Sequence, residues 1–173
     1  MTALITGGAA SGKSEYAEGL LCSLCEGEKL YLATMLAQDG ECRARVLRHR
    51  RQRAGKGFST LECPVGLQSL IIPAGSSVLL ECLGNLAANE LYAPGGSGDG
   101  VLEAVCTGLR RLSGTANNLV IVSNEVFGAG ERDPETRRYQ HLLGEINRYA
   151  ASLCDFVAEV VCGIVLIHKG AGI

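Results

Sequence analysis

Apolar residues fall along this chain in short unbroken runs that alternate with amphipathic stretches. Residues 3–6 form one such run and stop at Gly7 and Gly8; Tyr16, Ala17, Leu20, Leu21 and Leu24 then recur at helical spacing from Ser14 onward. This predicts strand, glycine turn and helix, in that order. Residues 30–34 predict a second buried strand, followed by a polar turn and a strongly charged helix over about 41–53, closed by the break at 54–57.

Residues 78–82 and 119–123 are continuous apolar runs bounded by turn residues, the pattern of strands covered on both faces of a parallel sheet. Between them a helix is predicted over about 101–112, and the glycine-rich 95–100 segment reads as a flexible surface loop. Asp133 is a predicted N-cap with Pro134 at the first helical position. Tyr139, Leu142, Leu143, Ile146, Ala150 and Leu153 then form one apolar stripe assigned to the core. Residues 156–161 and 164–167 read as two strands joined at Cys162 and Gly163, a hairpin at one sheet edge. Alternating helices and wholly apolar strands imply an α/β fold with a mostly parallel sheet, whose ligand site lies at the carboxyl ends of the strands.

With 173 residues, 47% of them apolar, the chain is expected to fold as one domain over 1–173. Its formal charge of −2 argues against nucleic acid as a partner of the whole surface, and against disorder. There is no uninterrupted apolar run of the roughly 18 to 20 residues that a membrane span needs, and no signal-peptide layout, so a cytoplasmic location is expected. In that compartment the cysteines at 22, 25, 42, 63, 82, 106, 154 and 162 are reduced, and most lie inside apolar patterns. Cys22 and Cys25 have the spacing of a redox or zinc motif, but they fall on a predicted helix with no second ligand pair, which favours packing.

Candidate chemistry begins at Gly7-Gly8-Ala9-Ala10-Ser11-Gly12-Lys13-Ser14, which satisfies GxxxxGK[ST] with a strand before it and a helix after it. Glycines let backbone N–H groups curl around a phosphate, the helix start adds its positive end, Lys13 reaches the outer phosphates and Ser14 can ligate Mg²⁺. Phosphoryl transfer also needs an acidic group near the metal, at the end of a neighbouring strand. Glu81 and Glu125 both fit, with Glu81 preferred.

The 41–53 helix is the least ordinary segment. Arg43, Arg45, Arg48, Arg50, Arg51, Arg53 and Lys56 supply seven of the 16 basic residues. Glu41, Arg45, His49 and Arg53 step by four and share a helical face, and an imidazole between two guanidinium groups stays neutral and nucleophilic. Spacing alone nevertheless favours a solvated basic face or an RNA-contacting patch over a catalytic His49. His141 and His168 read as surface residues.

A wider set of residues carries a resemblance. It comprises the 6–14 loop with Tyr16, Ala17 and Glu18, then Tyr31, Leu32, Ala33 and Thr34, and Arg45, Val46, Leu47, Arg48 and His49 with Arg53, Phe58, Thr60, Glu62 and Pro64. Leu79, Leu80, Glu81 and Cys82 continue it, followed by Ser123, Asn124, Glu125 and Val126, Gly144 with Asn147, and residues 163–169. On these, over nearly the whole length, the chain resembles the bifunctional adenosylcobinamide kinase / adenosylcobinamide-phosphate guanylyltransferase family of cobalamin biosynthesis. It departs from the family pattern at Ala10, at Phe58 and in the 126–144 stretch.

The resemblance implies a RecA-like P-loop NTPase fold and two reactions: phosphorylation of adenosylcobinamide, then transfer of GMP from GTP through a guanylylated histidine at His49. It implies GTP contacts from Gly7, Gly8, Ala9, Ala10, Ser11, Gly12, Lys13 and Ser14, from Ala33, Thr34 and Met35, from Arg50, Arg51, Gln52 and Arg53, and from Glu62 and Glu81. His49, Lys13 and Glu81 would be catalytic, Mg²⁺ would sit on Ser14 and Glu81, and ATP or GTP would donate the phosphoryl group. A homo-oligomer, a trimer in this family, is implied as well. The competing readings are a P-loop kinase of another small molecule and a non-catalytic nucleotide- or RNA-binding module.

Overall fold

The computed structural model describes residues 1–36, 53–126 and 133–171. Strands β1 (Thr2–Thr6), β2 (Lys29–Ala33), β3 (Phe58–Glu62), β4 (Ser77–Glu81), β5 (Asn118–Val122), β6 (Phe156–Val161) and β7 (Ile164–Lys169) form one sheet in the order β3-β2-β4-β5-β1-β6-β7. Every pairing is parallel except β6 with β7. Helices α1 (Lys13–Leu24), α2 (Leu83–Tyr92), α3 (Val101–Thr115) and α4 (Pro134–Leu153) cover the faces.

The unbroken apolar runs follow from this two-sided cover, because successive strand residues face opposite sides and both sides are dry. Along β5, Leu119 and Ile121 join the cluster under α2, α3 and α4, while Val120 and Val122 join the cluster under α1. On the first side Leu86, Val105, Leu109, Leu143 and Ile146 are fully buried, each contributing about 1.5–3 kcal/mol by leaving water. The stripe predicted on α4 is this inner face. Its N-cap is as expected, with Asp133 Oδ1 accepting from the backbone N–H groups of Glu135 and Thr136 at 3.1 Å each.

The predicted edge hairpin is present. Cys162 and Gly163 both take left-handed conformations, φ 51° and 82°, the two-residue turn whose twist suits tight antiparallel pairing. β7 leaves Ile164, Leu166 and Ile167 exposed.

Three differences from the pattern reading have physical causes. β3 was not predicted, because it is the opposite edge strand and its sequence, FSTLE, lacks a continuous apolar run. α2 was not predicted either; Gly84, Asn85, Asn89 and Glu90 dilute its apolar pattern, yet Leu83, Gly84, Leu86, Ala87 and Glu90 are all buried. The 95–100 segment, expected to be a flexible loop, is pinned: the backbone N–H and hydroxyl of Ser97 donate to Glu90 Oε2 at 2.9 and 2.8 Å, and a Cβ on Gly96 would lie 2.5 Å from the Glu90 carbonyl oxygen. The charged helix expected over 41–53 lies outside the described residues apart from Arg53. Among the described residues no helix is long and apolar enough to cross a membrane.

Candidate active site at the carboxyl end of the sheet

Strand register sets the floor of the site. Val122 pairs with Ile5 on one side and Glu81 on the other, Glu81 with Ala33, and Ala33 with Glu62, so these residues form one row at the carboxyl ends of β1, β5, β4, β2 and β3. The glycine-rich turn leaves β1 directly beside this row. Such a position, where crossovers diverge around the first strand, is where open α/β sheets hold ligands.

Gly7 enters the turn at φ 152°, and a Cβ there would lie 2.4 Å from the Val160 carbonyl oxygen and 2.7 Å from Ser11 Oγ. Only glycine lets the loop pass this close to β6. Gly12, at φ 94°, is the N-cap of α1, and Ala9 and Ala10 are exposed at the tip. Two neighbours brace the loop: Gly163 donates its backbone N–H to the Ser11 carbonyl at 2.9 Å, and Glu125 donates its own to the Gly7 carbonyl at 3.1 Å. Lys13 is buried at 8% exposure and its Nζ donates to the Gly8 carbonyl at 2.9 Å. Ser11 Oγ is buried with no hydrogen-bond partner, so the loop contains a hydroxyl in want of an acceptor.

Below the loop, Ser14 Oγ donates to Glu81 Oε1 at 2.5 Å and the Tyr31 hydroxyl donates to Glu81 Oε2 at 3.3 Å. Burial above all, and then the Glu81 charge, push the Tyr31 phenol far above its ordinary range, so it keeps its proton and acts as a donor. Thr34, fully buried, accepts from the Cys82 N–H at 2.7 Å and sits 2.9 Å from the carbonyls of Glu81 and Cys82, while Asn89 Nδ2 donates to the Thr34 carbonyl at 2.7 Å. The turn carrying Ala33, Thr34 and Met35 is thus locked to the end of β4, whose Glu81-Cys82 peptide bond is cis.

Arg53 is 6% exposed, with its guanidinium carbon 3.3 Å from the Tyr31 ring centroid. Its Nη1 lies 3.9 Å from Glu18 Oε1 and has no hydrogen-bond partner. Lys56 Nζ holds the other oxygen of the buried Glu18 at 2.9 Å.

The predicted residues divide accordingly. The 7–14 loop, Ala33, Thr34, Met35, Glu81 and Glu62 converge on one end of the sheet, and Arg53 joins them through Tyr31. Glu62 is exposed. Glu125 braces the loop with its backbone while its side chain is exposed; Glu81, not Glu125, meets Ser14. His49, Arg50, Arg51 and Gln52 lie outside the described residues. His141 and His168 are surface side chains, 3.8 Å from Glu145 and 3.2 Å from Glu159. Tyr31, Glu18 and Asn89 were missed as site residues. A phenol inside a strand that is apolar beyond Lys29, two positions before its end, is the available signal for Tyr31.

Mg²⁺ and a triphosphate suit this arrangement. Ser11 offers an orphaned buried hydroxyl, Gly7 and Gly12 add no side chain where the backbone turns, and Ser14 with Glu81 presents adjacent hard oxygens. Among the described residues no group of three or more His, Cys, Asp or Glu could hold a metal ion.

The family model for cobinamide kinase / cobinamide phosphate guanyltransferase matches residues 3–167. The bifunctional adenosylcobalamin biosynthesis protein CobU of Salmonella typhimurium is 32% identical over 179 residues, covering 95% of this chain and 97% of that protein, and its Escherichia coli counterpart gives the same figures. The protein CobP of Pseudomonas aeruginosa is 34% identical over 175 residues, with 98% of each chain covered. In three dimensions a KaiC-like protein of Pyrococcus horikoshii superposes with a TM-score of 0.54 at 12% identity, over 98% of this chain and 79% of its own, so the RecA-like P-loop NTPase fold is shared. The family match runs from β1 into β7 and takes in the whole floor of the site: the chain belongs to the cobinamide kinase / cobinamide phosphate guanyltransferase family.

Proposed function

We propose that this chain phosphorylates the aminopropanol hydroxyl of adenosylcobinamide and then transfers GMP from GTP to the new phosphate. The observation that carries the reading is the assembled 7–14 loop standing over the Ser14–Glu81 pair, in a chain that matches the family over 3–167.

In the kinase step the loop N–H groups and Lys13 hold the triphosphate of ATP or GTP and offset charge as the γ-phosphoryl group moves to the corrinoid hydroxyl. Ser14 and Glu81 would hold Mg²⁺, which supplies charge neutralisation at the phosphate oxygens. In the guanylyl step the lone pair of the His49 imidazole attacks the α-phosphorus of GTP, forming a P–N bond as the P–O bond to pyrophosphate breaks. An oxygen of adenosylcobinamide phosphate then attacks the same phosphorus, the P–N bond breaks, and free His49 returns. Arg50, Arg51, Gln52, Arg53, Glu62 and the 33–35 turn complete the nucleotide contacts in this reading.

The chain acts in the cytoplasm as one domain over 1–173 and as a homo-oligomer, its substrates small molecules and not nucleic acid. Ile164, Leu166 and Ile167, exposed along β7, are an apolar surface that assembly would cover. Product analysis with adenosylcobinamide, GTP and Mg²⁺ tests the function, scoring the phosphate and the GDP-linked corrinoid separately. GTP labelled at the α-phosphate should leave an acid-labile label on the protein that His49→Ala loses. Label transfer from the γ-phosphate alone would instead leave a plain kinase.

A further inference from the structure

Tyr31 stands between the two halves of the site without belonging to either. It lies on β2, pairs in register with Leu79, and faces the same side of the sheet as Glu81 two residues farther along β4. Its hydroxyl meets Glu81 Oε2 at 3.3 Å while Ser14 Oγ meets Oε1 at 2.5 Å, so each carboxylate oxygen is addressed by a different hydroxyl. Its ring carries the Arg53 guanidinium at 3.3 Å. Arg53 is buried and its long side chain has many alternative rotamers; the aromatic platform at this distance, together with the buried Glu18 carboxylate 3.9 Å from Nη1, selects one of them.

We propose that Tyr31 is a positioning residue with two separable parts: its hydroxyl fixes the Glu81 carboxylate for the cation site shared with Ser14, and its ring fixes Arg53 toward the nucleotide. The inference rests on the reading of Ser14 and Glu81 as Mg²⁺ holders and of Arg53 as a nucleotide contact. A carboxylate gripped at one oxygen can rotate; gripped at both, it presents a fixed edge. The ring part is independent of the cation, because cation–π stacking needs the aromatic face and not the phenolic oxygen. Neither part requires Tyr31 to touch a substrate.

The test is calorimetric binding of a non-hydrolysable GTP analogue, in Mg²⁺ and in EDTA, to wild type, Tyr31→Phe, Tyr31→Leu and Glu81→Gln, each also combined with Arg53→Ala. The ratio of the two affinities is the Mg²⁺ gain. Tyr31→Phe should lose about tenfold of that gain, the scale of one hydrogen bond to a charged group, with its affinity in EDTA unchanged. Tyr31→Leu should also weaken binding in EDTA, and in that background Arg53→Ala should cost nothing further, whereas after Tyr31→Phe it should cost as much as in wild type. Tyr31→Met replaces Tyr31→Leu where the branched side chain does not yield folded protein. A full Mg²⁺ gain in Tyr31→Phe alongside its loss in Glu81→Gln overturns the hydroxyl part and leaves the cation reading standing. A full gain in Glu81→Gln overturns both. An equal cost of Arg53→Ala in every Tyr31 background overturns the ring part.

Discussion

Ser14 Oγ and Glu81 Oε1 lie 2.5 Å apart, joining the first turn of α1 to the last residue of β4. Ser14 is only half-buried, so removing its hydroxyl tests the proposed cation-holding role apart from any role in folding. Ser14→Ala should lower both transfer rates by at least about tenfold and raise the Mg²⁺ concentration needed for half-maximal rate, while Ser14→Thr restores most of the activity. Initial rates across an Mg²⁺ series, with thermal melting as the control for folding, decide it.

Gly7→Ala places a methyl group 2.4 Å from the Val160 carbonyl oxygen and 2.7 Å from Ser11 Oγ, at a φ that L-residues rarely adopt. Backbone strain of about 1–3 kcal/mol adds to the clash. The expected result is a lowered melting temperature together with loss of nucleotide binding, whereas Gly8→Ala, with open space around it, should melt like wild type. Differential scanning calorimetry with and without GTP reads both effects.

Glu90 is buried on α2 and accepts from the Gly66 N–H, the Ser97 N–H and the Ser97 hydroxyl. Truncation leaves these part-buried donors without their acceptor. Glu90→Ala should cost about 3 kcal/mol in urea unfolding, and Glu90→Gln, which keeps one acceptor, should cost less. Proteolysis within 95–100 should quicken in the alanine variant.

The Asp133 carboxyl is held below its ordinary range, first by the Thr136 hydroxyl and then by backbone N–H groups at the start of α4. A carboxyl whose pKa is depressed in the folded state stabilises above its unfolded pKa of about 3.9, and that stabilisation fades as pH falls through the folded value. The urea midpoint of wild type should therefore exceed that of Asp133→Ala at neutral pH, and the excess should shrink as pH falls through the folded value. A difference that persists unchanged into acid contradicts the capping role.

Burial pushes the Cys154 thiol up to about 12 and the Cys63 thiol up to about 11, while Cys162 is exposed on the hairpin turn. Only thiolate reacts with alkylating agents. Mass spectrometry after brief iodoacetamide treatment of folded protein at mildly alkaline pH should find Cys162 modified well before Cys63 and Cys154. In urea that order should disappear.

The parts of the fold that were readable from sequence are those decided by local pattern. β1, β4 and β5 declare themselves because dry cover on both faces demands uninterrupted apolar residues, and the 7–14 loop because its chemistry is contiguous. β3 stayed hidden because an edge strand can leave Ser59, Thr60 and Glu62 in water. α2 stayed hidden because Glu90 looks like a surface residue until Gly66 and Ser97 arrive from elsewhere in the chain to satisfy it. In the same way Tyr31 becomes a site residue only once β2 pairs with β4 and its hydroxyl lands on Glu81. His49 rests on the family resemblance, since charge spacing by itself favoured a solvated face.

The N–H of Gly163 clasps the carbonyl of Ser11, and the carbonyl of Val160 limits Gly7, so the wall of the glycine-rich loop is made from a hairpin far downstream in the chain. On the ribosome the loop emerges early and its buttress late. A nascent chain paused before β6 carries the whole glycine-rich motif yet lacks the surface that shapes it, and the finished form of the loop therefore arrives with the β6–β7 hairpin.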